Sequence, residues 1–340
     1  MDSPFENPTR QAFGSPGGKS FLAPRIASMI PPHKTYVEPF AGGAAVLYYK
    51  DPSQKEVLND KDSEIAFGHQ FIKGMTNTQL NELNKLDWVQ KQTTFDKVKD
   101  SYPKDKTGRF RRFYYTTISS FASGRTSFNT IRDGHIGSLN RLQPAHERLK
   151  GVTIQSKDAS SVIRQYDSPT TFFYLDPPYP GRHFSGEKYT TEELNRLIEQ
   201  LKHIKGKFAL SLGTEHAKLL PKSWNIKRVK VKRNMTDPNT GQPIPSGYEI
   251  VASNYRSNGM GKQKVKDNPI LVEAITAGLA SGLAWGVGSV MGNRVASKKA
   301  RNPASKRKAK RNPTKKQTGG GLLGFAVIGG LLWWLAKRDQ

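Results

Sequence analysis

Thr171-Phe-Phe-Tyr-Leu-Asp-Pro-Pro-Tyr179 is the stretch that decides how this chain is read. An apolar strand runs into Asp176, then two prolines and an aromatic. Adjacent prolines cannot continue a sheet and offer no N–H donors, so the backbone after the strand is rigid and its carbonyls are free. A strand followed by a stiff turn of no special purpose would look the same, so the segments around it have to decide.

Upstream, Tyr36-Val-Glu-Pro-Phe-Ala-Gly-Gly43 reads as a short strand entering a glycine turn, with a helix starting over Ala44 to Lys50. Strand, glycine turn and helix form the cofactor-binding corner of doubly wound sheets, where glycine lets the backbone approach a ligand. Glu56-Val-Leu-Asn-Asp60 is a second short strand ending in an acid. Its distance from Gly43, about 17 residues, suits a carboxylate that binds ribose hydroxyls. Downstream, Thr190 or Thr191 caps a helix running to about His203, with acids in its first turn. Lys207 to Leu212 is the next strand. Lys222 to Lys232, basic and partly alternating, reads as a strand near the sheet edge.

Further pieces complete an ordered set. They are Gly17-Gly18-Lys19, Asp158 in Ile154-Gln-Ser-Lys-Asp158, and Glu249 with Asn254-Tyr255. With Glu38-Pro-Phe-Ala-Gly-Gly43, Asn59-Asp60 and Asp176-Pro-Pro-Tyr179, the stretch from about Ser15 to Tyr255 resembles the Dam-type, alpha-group DNA adenine methyltransferases, which use S-adenosylmethionine. The resemblance implies an α/β fold: a Rossmann-like, mostly parallel methyltransferase sheet with helices on both faces and a mainly helical DNA-recognition insertion. It implies cofactor contacts from Ser15, Lys19, Glu38, Phe40, Gly42, Asp60, Asp158 and Asp176. It also implies catalysis by Asp176, Pro177, Pro178 and Tyr179 on a base flipped out of double-stranded DNA. Glu249 and Asn254-Tyr255 resemble the closing strand. Asp rather than Ser at 176 favours adenine over cytosine. Ser15, Ala159 and Ala44 stand where the family commonly has an aromatic, an aromatic, and a Gly or Ser.

The expected layout is a methyltransferase domain over 1–66 and 151–257, interrupted by the DNA-reading insertion at 67–150. Arg109-Phe-Arg-Arg-Phe-Tyr-Tyr115 mixes cations with aromatics, as an amphipathic helix with a basic face also would. Phe121 to Asn129 resembles the family's Gly/Arg/Asn-rich recognition loop. Arg125 and Asn129 are candidates for base edges, since Arg suits guanine and Asn suits adenine. Arg109, Arg111, Arg112 and Arg132 are candidates for phosphates. The histidines show no metal spacing with acids, so no metal is expected.

The 340 residues carry 54 Lys+Arg against 28 Asp+Glu, a net charge of +26, and no cysteine. Disulfide scaffolds, thiolate nucleophiles and zinc fingers are excluded, and a polyanion partner is implied. The first 25 residues hold no apolar run, so no secretory leader is expected. From Gly261 onward there are 16 Lys+Arg and 3 Asp+Glu, half of the whole excess. A linker is expected over 258–273 and a Gly/Ala-rich apolar helix over 274–292. A disordered basic segment of 11 Lys+Arg and no acid follows over 293–318, then a transmembrane helix over 319–336 closed by Trp333-Trp334 and Lys337-Arg338. The implied need for DNA and cofactor, with that membrane-seeking tail, leads us to expect the protein in the cytoplasm or on the cytoplasmic face of a membrane, in a prokaryotic or phage-infected cell or at a virion membrane. Two functions compete. One is an adenine methyltransferase tethered to a membrane. The other is a catalytically weak or inactive methyltransferase fold serving as a DNA–membrane tether or virion-type structural protein.

Overall fold

A computed structural model of the chain describes residues 9–181, 189–231 and 247–256. The expectations for 258–273, 274–292, 293–318 and 319–336 lie outside the described residues. Among the described residues no helix is long and apolar enough to cross a membrane.

The strands are β1 (Thr35–Glu38), β2 (Lys55–Asn59), β3 (Val152–Gln155), β4 (Thr171–Leu175), β5 (Lys207–Gly213), β6 (Asn225–Val231) and β7 (Gly247–Ser253), joined in one sheet of order β3-β2-β1-β4-β5-β7-β6. The first five strands pair in parallel. Strand β7 is antiparallel to both β5 and β6. The doubly wound half is therefore closed by an antiparallel hairpin. The order reverses between β1 and β4, and in open α/β sheets ligands bind at that switch point, beyond the carboxyl ends of the strands. Strand β3, four residues long, forms one edge; β6, carrying Lys227, Arg228 and Lys230, forms the other.

Every residue of β4 is buried, and its period of two divides the core. Phe172 and Tyr174 join Tyr36, Leu58, Ala209 and Val251 on one face; Phe173 and Leu175 join Val37, Val57, Leu210 and Ile250 on the other. The second face is covered by α8 (Ala159–Tyr166) and α9 (Thr191–Lys202) through Val162, Ile163, Leu194 and Ile198. Thr190 starts α9 with a reciprocal capping box. Its hydroxyl accepts from the Glu193 amide at 3.1 Å, and Glu193 accepts from the Thr190 amide at 2.7 Å.

The first face is covered by α1 (Ala23–Ala27), α2 (Ala45–Tyr49), α3 (Ser63–Gly74), α6 (Lys106–Ser119) and α7 (Leu142–Leu149). Helices α4 (Asn77–Asn84) and α5 (Gln92–Lys99) extend that layer, so the β2–β3 crossover is helical and shares one core with the sheet. Helices α3 and α6 meet at Gly68, where a Cβ would fall 2.3 Å from the Phe113 ring. Beneath α2 and α7, buried Glu56 lies between Lys50 at 2.6 Å and Arg148 at 2.5 Å.

Candidate active site

The loop after β1 turns through two left-handed residues, Gly42 (φ +48°) and Ala44 (φ +53°). A Cβ on Gly42 would sit 2.6 Å from Ser15 Oγ, so only glycine brings this backbone against Ser15. The Ser15 hydroxyl accepts from the Gly43 amide at 3.1 Å. Ala44 holds a left-handed φ that glycine would adopt more easily, and its methyl is buried in the core. Buried His69 donates from Nε2 to the Gly42 carbonyl at 2.8 Å; burial lowers its pKa to about 4, so the ring is neutral there.

Asn59 and Asp60, at the end of β2, tie this loop to its neighbours. Buried Asn59 donates to the Pro39 carbonyl at 2.9 Å and the Lys157 carbonyl at 3.0 Å, and accepts from the Lys157 amide at 2.9 Å. Three strand ends are thereby stapled together. Asp60 accepts from the Gly42 amide at 2.8 Å and the Asp62 amide at 2.9 Å; burial nevertheless pushes its carboxyl up to about 6. Asp158 is exposed and caps α8 by accepting from the Ser161 amide at 3.3 Å. Phe40 meets Tyr189 edge-on, with ring centroids 6.3 Å apart. Nothing in the sequence singled out Tyr189; its only signal is an aromatic just before the Thr190 cap.

Glu38 ends β1 fully inside. Its Oε1 accepts from the Tyr36 hydroxyl and the Leu47 amide, both at 2.8 Å, and burial raises its carboxyl to about 8. Across the switch point lies Asp176, 19% exposed. Lys19, itself 6% exposed, places Nζ 2.8 Å from Asp176 Oδ1, 2.8 Å from the Gly17 carbonyl and 3.7 Å from Glu249 Oε2. The Tyr179 hydroxyl donates to Glu249 Oε2 at 3.3 Å and lies 3.5 Å from Asp176 Oδ1, and Lys19 stands 5.2 Å from its ring centre. Burial raises the Asp176 carboxyl, and the Lys19 ammonium opposes that rise. Pro177 is buried and Pro178 is exposed.

Ser15, Lys19, Glu38, Phe40, Gly42, Asp60 and Asp176 to Tyr179 therefore cluster around the switch point, with Asp158 at the end of β3. The donor set fits a nucleoside cofactor: a glycine cradle, and an acid at the strand end where a ribose is held. Glu249 is the member that the sequence placed only in a closing strand. Among the described residues no group of three or more His, Asp or Glu side chains could hold a metal ion.

Of the expected DNA-reading residues, Arg125 borders this cluster, where its charge opposes the rise of the Asp60 carboxyl. Arg109 lies 3.9 Å from the centre of the Phe67 ring and pairs with Glu64 at 2.5 Å. Arg112 donates to the Lys99 carbonyl at 2.9 Å. Arg125, left-handed at φ +62°, pairs with Asp62. Asn129 accepts from the Ile131 amide at 3.2 Å, and Arg132 is exposed. Ala122 and Ser123 are also left-handed, so the loop is held in a strained shape.

Residues 15–235 match the model of the D12 class N6 adenine-specific DNA methyltransferases. The chain belongs to this family. It is 25% identical over 285 residues to Type II methyltransferase M.MjaIII of Methanocaldococcus jannaschii, covering 70% of this chain and 96% of that one. Type II methyltransferase M.CviBI of Paramecium bursaria Chlorella virus NC1A is 26% identical over 210 residues, covering 58% and 80%. Type II methyltransferase M1.LlaDCHI of Lactococcus lactis subsp. cremoris is 25% identical over 274 residues, covering 70% and 93%. Among solved structures, the putative methyltransferase yhhF from Escherichia coli covers 70% of this chain and 84% of its own at 12% identity and TM-score 0.29, so the fold rests on the strand order itself. As a D12 methyltransferase the chain is an adenine-specific DNA-modifying enzyme.

Proposed function

We propose that this D12 methyltransferase moves the methyl group of S-adenosylmethionine to the exocyclic amino nitrogen of an adenine turned out of duplex DNA at a specific site. One observation carries the reading: Asp176-Pro-Pro-Tyr179 stands at the carboxyl end of β4, across the switch point from the glycine loop of β1. The residues have distinct tasks. Adenine's amino nitrogen is a poor nucleophile because its lone pair is delocalised into the ring. Hydrogen bonds from that amino group to Asp176 and to the Pro177 carbonyl localise the pair. Bound S-adenosylmethionine supplies an already activated methyl group, so the protein contributes positioning and electrostatics. Tyr179 offers a ring face for the extruded base. Asp60 receives the ribose hydroxyls, Asp158 lies toward the cofactor's adenine, and Ser15, Phe40 and Gly42 wall the cofactor.

The 67–150 segment reads the DNA, with Arg132 on phosphate and Arg125 exchanging Asp62 for a base edge. The Type II names of the relatives fit a restriction–modification role. The tail belongs to the same reading: its basic segment holds polyanions and its last apolar segment tethers the enzyme to a membrane. Flotation of the full chain with anionic but not neutral vesicles checks that part, and no flotation with either removes it.

The central experiment incubates the chain with labelled S-adenosylmethionine and mixed-sequence duplex DNA, then identifies the modified base. N6-methyladenine is expected. Asp176→Ala should keep the fold and lose at least about 10²- to 10³-fold in kcat, the range for removing one preorganised hydrogen-bonding group. Transfer by that variant at the wild-type rate refutes the chemistry. No transfer together with no cofactor binding favours the DNA–membrane tether.

A further inference from the structure

A buried carboxylate, Glu249, and a half-buried one, Asp176, share one ammonium at the head of this site. Lys19 Nζ is 2.8 Å from Asp176 Oδ1 and 3.7 Å from Glu249 Oε2, so a shift on the order of 1 Å moves its close pairing from one to the other. Its third partner, the Gly17 carbonyl at 2.8 Å, lies two residues back in its own loop. In the present arrangement Lys19 occupies Oδ1 of Asp176, one of the two oxygens of that carboxylate. A lysine driven off Asp176 without another anion would become a buried unpaired cation, which is costly. Glu249 supplies that anion. It is fixed in the middle of β7, where Val229 of β6 and Gly213 of β5 flank it, and it takes the Tyr179 hydroxyl at 3.3 Å.

We propose that Glu249 is a positioning residue that gives Lys19 a second seat, so that Asp176 is released to the target amino group when the base enters. The inference rests on the reading of Asp176 above. Glu249 acts through Lys19 and touches neither cofactor nor base.

Steady-state kinetics of the full chain test it. Glu249→Gln keeps an acceptor for Tyr179 but removes the charge. It should lower kcat about tenfold while KM for DNA and the affinity for S-adenosylmethionine stay within about twofold. Glu249→Asp, which keeps the charge, should recover most of kcat. In a Lys19→Met background, whose folding is checked by thermal melting, Glu249→Gln should have little further effect on kcat, because the two side chains act as one unit. An unchanged kcat in Glu249→Gln overturns the proposal. So does equal loss in the Gln and Asp variants, or a loss confined to KM. If the wild-type chain itself forms no N6-methyladenine, the reading of Asp176 fails first. If the wild type methylates and Glu249→Gln matches it, only the second seat fails.

Discussion

On the proposed reading, in which Asp60 receives the ribose hydroxyls, cofactor binding depends on pH. Burial holds its carboxyl near 6 against an ordinary 3.8, in spite of two backbone amides that favour the charged form. A carboxyl raised by folding adds stability below its unfolded value, and that contribution is lost as pH climbs through about 6. Ribose hydroxyls need the ionised form as acceptor. Affinity for S-adenosylmethionine should therefore weaken about tenfold between pH 7 and pH 5. Titration calorimetry on the wild type and Asp60→Asn checks this, since the variant should bind weakly with no such slope. At this scale the sequence was legible wherever an acid or proline ends a strand, as at Asp60 and Asp176. It was mute about pairs made by the fold. Asp62 and Glu64, which take Arg125 and Arg109, carry no local signal. Glu249 reaches Tyr179 from 70 residues away.

Between elements, the burial of Glu56 is costly unless both cations stay. Burial alone would raise its carboxyl, but Arg148 and Lys50 bring it below its ordinary value. Its stabilising effect is thus present above the ordinary value of 4.5 and lost as pH falls through the depressed one. Glu56→Gln should destabilise by about 3–5 kcal/mol, because Lys50 and Arg148 are left buried without their anion; urea unfolding at pH 7 measures it. Gly68→Ala should cost about 1–3 kcal/mol, as the methyl meets Phe113 and forces α3 from α6; the same unfolding curve at unchanged m-value would show it. The α9 cap and the strands at 35–38, 55–59 and 207–213 were readable from local pattern. The partition of 67–150 into α4 to α7 was not, because several of these helices are about two turns long and owe their stability to a shared core.

For the whole molecule, a net charge of +26 makes DNA affinity largely a matter of released counterions. A protein neutralising several phosphates should lose about 10³ or more in affinity between 50 and 200 mM salt, whatever the DNA sequence; fluorescence anisotropy with two unrelated duplexes should give parallel slopes. The order of motifs announced the doubly wound half of the sheet, while the antiparallel return of β7 between β5 and β6 is a long-range pairing that no local pattern encodes. That return leaves β6 outermost, with Lys227, Arg228 and Lys230 in seven residues. An outermost strand is a template on which a second molecule can add its own, and charge there is what keeps such end-to-end growth in check. A variant with threonine at those three positions should keep its secondary structure yet pass from single molecules to aggregates as concentration rises in light scattering. On that outcome the basicity of this edge keeps the protein from polymerising through its own sheet, whatever it also does for DNA.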